Sequence, residues 1–270
     1  MHLRALIFAI AIAAPVFAAL LFSGEFRRWL RGTGSIRQTF SNAGVGIVFL
    51  LSQIALRGAL LSGFHAATMV VPWKLPEDKA WAYGLTFLLL DAVYYVQHRL
   101  EHSVPLLWAI HSVHHQSNDY NLSVSFRVGA FASLSTFVFH LSLALFGVST
   151  TMYAAAVTAH GLLLFTLHAR TKFTLGPGRF FNAPVFHRVH HGAEDAYIDK
   201  NFGGVLLVFD RVFGTFTPYT HEPTFGVRGA SAAAVDPLRA NAAPFAELAA
   251  SVAKQPTLLA KLRALFVRDR

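Results

Sequence analysis

Apolar residues in this chain rarely alternate with polar ones; they run on. Five stretches, Leu3 to Ser23, Ala43 to Phe64, Trp81 to Val96, Val128 to Phe146 and Thr151 to Leu167, carry almost no charge. Each approaches the ~20 residues that a helix needs to cross the hydrocarbon of a bilayer, the third being somewhat short. Runs of this kind have no polar face to offer water, so they predict spanning helices. The first run begins near Arg4 and contains small residues, as a signal peptide does. Its apolar length exceeds that of an ordinary h-region, and it is read as retained.

The polar segments between the runs orient them. Arg27, Arg28, Arg31 and Arg37 outweigh Glu25 after the first run, which assigns that loop to the cytoplasm. Lys74 and Lys79 are balanced by Glu77 and Asp78 in the next loop, which then lies outside. The third run returns the chain inward just before His98, and a tight hairpin from Gly147 to Thr151 joins the last two runs. Segments 98–115, 168 and 187–191 therefore meet one membrane face. The expected fold is an all-α membrane protein, a bundle of four or five transmembrane helices under a helical cytoplasmic cap rich in histidine. Residues 1–80 form N-terminal spans and loops, 81–220 a histidine-bearing domain with spans three to five, and 221–270 a cytoplasmic tail with an amphipathic helix.

Composition sharpens this picture. Of 270 residues, 54% are hydrophobic and 14% charged, too apolar a balance for an ordinary soluble domain. The net charge of +9 fits the positive-inside pattern and attraction to anionic headgroups, so no nucleic-acid partner is expected. There is no cysteine, which excludes disulfides, thiolate ligands and a cysteine nucleophile. A metal site has only His, Asp and Glu to draw on.

Eight of the 14 histidines fall in three short boxes: HRLEH with His98 and His102, HSVHH with His111, His114 and His115, and HRVHH with His187, His190 and His191. Positions i, i+3 and i+4 share a helix face, so each box projects its imidazoles together. Neutral imidazole suits zinc, copper, nickel and iron, whereas magnesium and calcium prefer oxygen. So many imidazoles overfill one catalytic site and suit two metals. His168, at the inner end of the fifth run, is placed to add one more ligand. Asp91, Asp199 and Asn201 are assigned to orient the ligating rings. Tyr94, Tyr95 and Trp108 are candidates for a lipid groove, and Gly203 to Phe216 for a lid. Glu101 points off the His98–His102 face and reads as solvated or salt-bridged, Asp210 with Arg211 as a structural pair or lid anchor, and His160 as a packing or channel residue. His2, His65, His140 and His221 read as ordinary histidines.

The pattern Asp91-x-x-Tyr94-Tyr95-x-x-His98-Arg99-x-x-His102, then Leu107-Trp108-x-x-His111-x-x-His114-His115, then His187-x-x-His190-His191 ending in Asp199-x-Asn201-Phe202-Gly203, resembles the fatty acid hydroxylase and sterol desaturase superfamily. So does Phe209-Asp210-Arg211-x-Phe213-Gly214-Thr215, and the resemblance covers roughly residues 85–220. It implies a membrane-bound di-iron oxidoreductase that uses O2 to hydroxylate or desaturate a lipid, whether fatty acyl, sterol-like or carotenoid. The ligands it implies are His98, His102, His111, His114, His115, His187, His190 and His191, with His168 matching a further family histidine. Arg170 and the stretch Arg127-Val128-Gly129 depart from the usual pattern, and those departures bear on the substrate.

No glycine-rich nucleotide fingerprint follows a strand, so electrons are expected from a separate donor protein. The expected location is a bacterial inner membrane with the metal site facing the cytoplasm. A membrane metallohydrolase is the alternative enzyme, although HExxH is absent, and a histidine-rich metal transporter the non-enzymatic one.

Overall fold

The structure, a computed structural model, describes residues 26–171, 180–228 and 235–267. The first apolar run lies outside them. The described residues are helical, with only two isolated bridges, Phe181 to Leu206 and Gly192 to Phe225. The all-α expectation holds.

Helix α1 (Ile36–Val70) starts where the Ser35 hydroxyl accepts the Gln38 amide and ends two residues before Pro72. Helix α2 (Ala80–Ser103) stops because Pro105 forces Val104 into extended backbone; the same proline then opens α3 (Pro105–His115) at its first turn. A short 3-10 turn (Leu122–Phe126) leads into α4 (Ala132–Leu145). Gly147, at φ 78°, and the Ser149 cap make the tight hairpin into α5 (Thr150–Leu167). Pro184 opens α6 (Pro184–His190) as Pro105 opens α3. Then come a single turn, α7 (Val208–Val212), and two tail helices, α8 (Pro237–Ala253) and α9 (Leu258–Phe266).

Phe64, Ala82, Leu90, Leu143, Val148 and Met152 form one core that ties α1, α2, α4 and α5 together at one end of the bundle. Val45, Val113 and Ala240 tie α1, α3 and α8 at the other. Outward, α1 leaves Phe40, Ile47, Leu50, Leu51 and Ile54 exposed, the surface of a helix whose solvent is hydrocarbon. On α9, Leu258, Leu259, Leu262 and Phe266 are exposed on one face, as an interfacial helix requires.

Among the described residues, two helices, α1 and α5, are long and apolar enough to cross a membrane. The fourth run is shorter than its hydropathy predicts. Helix α4 has 14 residues, about 21 Å of rise against ~30 Å of hydrocarbon. Residues 128–131 are spent on a close approach instead: a Cβ on Gly129 would lie 2.4 Å from the Ile110 carbonyl oxygen.

Candidate metal centre

The boxes occupy element ends that converge. His98 and His102 end α2, His111, His114 and His115 end α3, His168 caps α5, and His187, His190 and His191 lie on α6 and its cap. All nine are brought together, in two groups: His98, His102, His111, His115 and His190 in one, His114, His168, His187 and His191 in the other. Within each group the candidate ligand atoms lie within 4.8 Å of one another. The groups adjoin, since His115 stacks on His191 at a ring separation of 4.4 Å.

The outer ring nitrogens fix the orientation of several rings. His98 Nδ1 donates to the Phe202 carbonyl, His114 Nδ1 to the Arg127 carbonyl and His190 Nδ1 to the Lys200 carbonyl, each at 2.8 Å. His111 Nδ1 lies 3.2 Å from Glu101 Oε2, and His102 Nδ1 3.4 Å from Asp199 Oδ1. A ring that donates through Nδ1 presents a bare Nε2 lone pair on its other side. Those lone pairs face each other. His98 and His111, each with Nδ1 engaged elsewhere, meet Nε2 to Nε2 at 3.1 Å, and His168 Nε2 lies at the same distance from His114 Nε2. Two lone pairs so placed repel unless a cation lies between them, and the separation is that of two nitrogens each held about 2.1 Å from one metal ion.

Burial pushes the His114, His115, His187, His190 and His191 imidazoles well below the usual histidine range, and neighbouring imidazoles push them further. They are neutral at physiological pH, the ligating form. Nε2 of His190 is buried with no hydrogen-bond partner. These observations fit a pair of cations that accept imidazole nitrogen, such as iron.

The loop after α6 supplies two of the orienting carbonyls through an unusual backbone path. Asp199 and Asn201 both sit in the left-handed region, at φ 58° and 55°, flanking Lys200 and turning the Lys200 and Phe202 carbonyls toward the boxes. Three side chains hold this path. Asn201 bonds the Phe186 carbonyl and both backbone polar groups of Thr217. Asp210 accepts the Phe202 and Gly203 amides and the Thr215 hydroxyl. Asp91 accepts the Val205 and Leu206 amides.

Some assignments shift accordingly. Of the three residues expected to orient rings, Asp199 approaches one, whereas Asp91 and Asn201 hold the loop; Asp91 also accepts from His160 at 2.8 Å. Glu101 is buried rather than solvated, accepting from Gln97 and Ser135 beside its contact with His111. Asp210 pairs with backbone amides, while Arg211 lies over the Phe216 ring at 4.0 Å. Tyr94 lines a cleft of about 300 Å³ floored by His111, His114, His168 and His187. Tyr95 is buried, its hydroxyl on Thr215, and Trp108 packs on His102. Of the two readings of Glu101 the salt-bridged one holds, its partner being His111; the i+3 spacing from His98 was the signal that could have placed it on the face of the first box.

A family model described as fatty acid hydroxylase matches residues 83–215. Alkylglycerol monooxygenase of Danio rerio is 34% identical over 225 residues, covering 80% of this chain and 49% of that protein. The Homo sapiens protein of the same name is 31% identical over 225 residues, with the same coverage. Ornithine lipid hydroxylase OlsE of Rhizobium tropici is 26% identical over 205 residues, covering 69% of this chain and 56% of that protein. The chain spans about half the length of these relatives. No solved structure matches it.

Proposed function

The chain belongs to the fatty acid hydroxylase superfamily, and from that premise we propose that it is a membrane-bound, iron-dependent oxidoreductase that hydroxylates a lipid. The observation that carries this reading is the pair of adjoining all-imidazole groups with Nε2 atoms turned inward. His98, His102, His111, His115 and His190 would hold one iron, and His114, His168, His187 and His191 the other.

Bound iron supplies the activation of O2 that an unactivated C–H bond requires and that no side chain provides. The chain's own residues do the rest. Carbonyls of Arg127, Lys200 and Phe202, with Glu101 and Asp199, fix ring orientation. The cleft above His111, His114, His168 and His187 shields a bound chain from water. Four or five spans, a cytoplasmic cap and the division at residues 81–220 complete the reading, supported by the exposed apolar face of α1 and by the arginine-rich segment before it. Electrons come from a separate donor protein. Relatives named for alkylglycerols and ornithine lipids make polar lipids the first substrates to offer.

Metal analysis and Mössbauer spectroscopy of the detergent-purified protein, grown with isotopically enriched iron, test this directly. The expected result is about two irons per chain, lost in a His187→Ala/His190→Ala variant, which removes one ligand from each group. Zinc retained in place of iron under every loading condition would overturn it. Lipid extracts incubated with reductant and O2 should then show the mass gain of one oxygen.

A further inference from the structure

The cleft above the histidines has a neighbour. A second cleft of about 360 Å³ lies between α1, α4 and α5, and both count Val128, Ala132 and Thr136 in their walls. Along α5 the lining passes from His168, Phe165, Leu164 and Gly161 in the first to Thr158, Val157, Ala154 and Tyr153 in the second. The walls are therefore continuous on one helix. From Tyr153 to His168 the rise is about 22 Å at ~1.5 Å per residue. An extended chain advances roughly 1.2 Å per bond, so this length holds about 18 bonds.

The histidine end has an unmet polar requirement. Gln97 Nε2 donates to Glu101 Oε1 at 2.9 Å and to Thr136 Oγ1 at 3.1 Å. A carboxylate only accepts, so Glu101 fixes the amide with its nitrogen toward Glu101 and Thr136 and leaves Gln97 Oε1 as a buried acceptor with no donor. Gln97 lines the first cleft beside His111. A buried acceptor of this kind selects a partner that brings a hydroxyl or an N–H.

We propose that the two clefts form one site for a single-chain amphiphile, its hydroxyl or N–H end at Gln97 and its alkyl chain running past Ala132 into the α1–α4–α5 cleft. Ala132 is the neck and sets the chain length accepted. This rests on the lipid-hydroxylase reading and adds to it an orientation: the oxidised carbon lies near the polar end, and the remote end of the chain reaches Phe49, Leu61 and Tyr153.

The test uses photolabelling of the full chain in detergent, which needs neither turnover nor iron. The probes are hexadecanol and octanol, each with a diazirine at the chain end, and the methyl ether of the hexadecanol probe, which keeps the chain and loses the donor. The hexadecanol probe should label the cleft-facing residues Phe49, Gln53, Leu60 and Leu61 of α1 and Tyr153 to Val157 of α5. An Ala132→Phe substitution should cut that labelling at least tenfold and leave octanol labelling of Gly161 to Phe165 unchanged. Gln97→Leu should weaken labelling by hexadecanol about tenfold without altering labelling by its methyl ether, while melting temperatures of both variants report their folding. Labelling confined to the outer face of α1 at Ile47 and Ile54, or unaffected by Ala132→Phe in a folded variant, would overturn the site. So would labelling of the second cleft by a probe carrying its diazirine at the polar end. Correct labelling without any oxygenated product from iron-loaded protein would support the site and count against the hydroxylase reading alone.

Discussion

His98 Nδ1 lies 2.8 Å from the carbonyl oxygen of Phe202, a residue 104 positions further along the chain. The first histidine box is thus aimed by the loop that follows the third. Ring orientation in one element depends on backbone shape in another, and the most informative substitutions are those that alter the loop while leaving every histidine in place.

Asp199 separates backbone strain from ring orientation. Its φ of 58° is one that glycine adopts freely, whereas its carboxylate faces His102 Nδ1 at 3.4 Å. Asp199→Gly should leave thermal stability within about 1 kcal/mol of the parent. The same change should weaken metal retention roughly 10-fold, since outer partners of ligating histidines contribute on that scale. Melting curves and competition with a chelator measure the two effects separately.

Glu101 is tested by its closest isostere. Glu101 Oε2 faces the His111 ring while Oε1 accepts from both Gln97 and Ser135, so a glutamine, with one oxygen, cannot serve both sides. Glu101→Gln should lower metal affinity about 10- to 100-fold with a smaller effect on folding. Chelator competition at fixed pH reads the first and urea unfolding the second.

Acid should destabilise the metal-free protein in a defined direction. The His114, His115, His187, His190 and His191 imidazoles titrate well below the ordinary value of 6.5 in the folded chain, chiefly because they are buried. Below about pH 6.5 the unfolded chain takes up protons that the folded chain refuses, so stability is level above that pH and falls beneath it, by up to about 1.4 kcal/mol per pH unit for each such group. Melting temperatures of the metal-free protein between neutrality and pH 5 should fall steadily. A flat profile would show that the five imidazoles are more accessible than the structure has them.

Gly129 tests the link between the membrane bundle and the second box. A methyl group there would meet the Ile110 carbonyl oxygen at 2.4 Å, one residue before His111. Gly129→Ala should cost about 1 to 3 kcal/mol and displace the α3 box, with metal content falling more than melting temperature alone predicts.

Much of this site is legible in the sequence because helical spacing survives folding. The i, i+3 and i+4 histidines meet on one face in any helix, and Pro105 and Pro184 mark where the box-bearing helices must start. Backbone contributions leave no such trace. The carbonyls of Arg127, Lys200 and Phe202 could have come from any residue types. Glu101 stands three residues after His98 and so shares its face of α2, but nothing local announces that its partner is His111 on α3. Asp91 shares a face with His98 but stands seven residues away, about 10 Å along the axis, too far to touch the ring and close enough to catch the Val205 and Leu206 amides. The fourth apolar run overshot because hydropathy is blind to the steric demand at Gly129.

Neither histidine group belongs to helices of its own. Helix α3 sends His111 and His115 to one group and His114 to the other, and α6 with its cap divides His190 from His187 and His191 in the same way. Whatever fills one group immobilises both helices and so completes much of the frame of the other. On the proposed two-iron reading, loading should then be cooperative, because a second ion would enter a site whose ordering entropy the first had already removed. A titration should pass almost directly from empty to doubly loaded chains, and a ligand lost from either group should empty both.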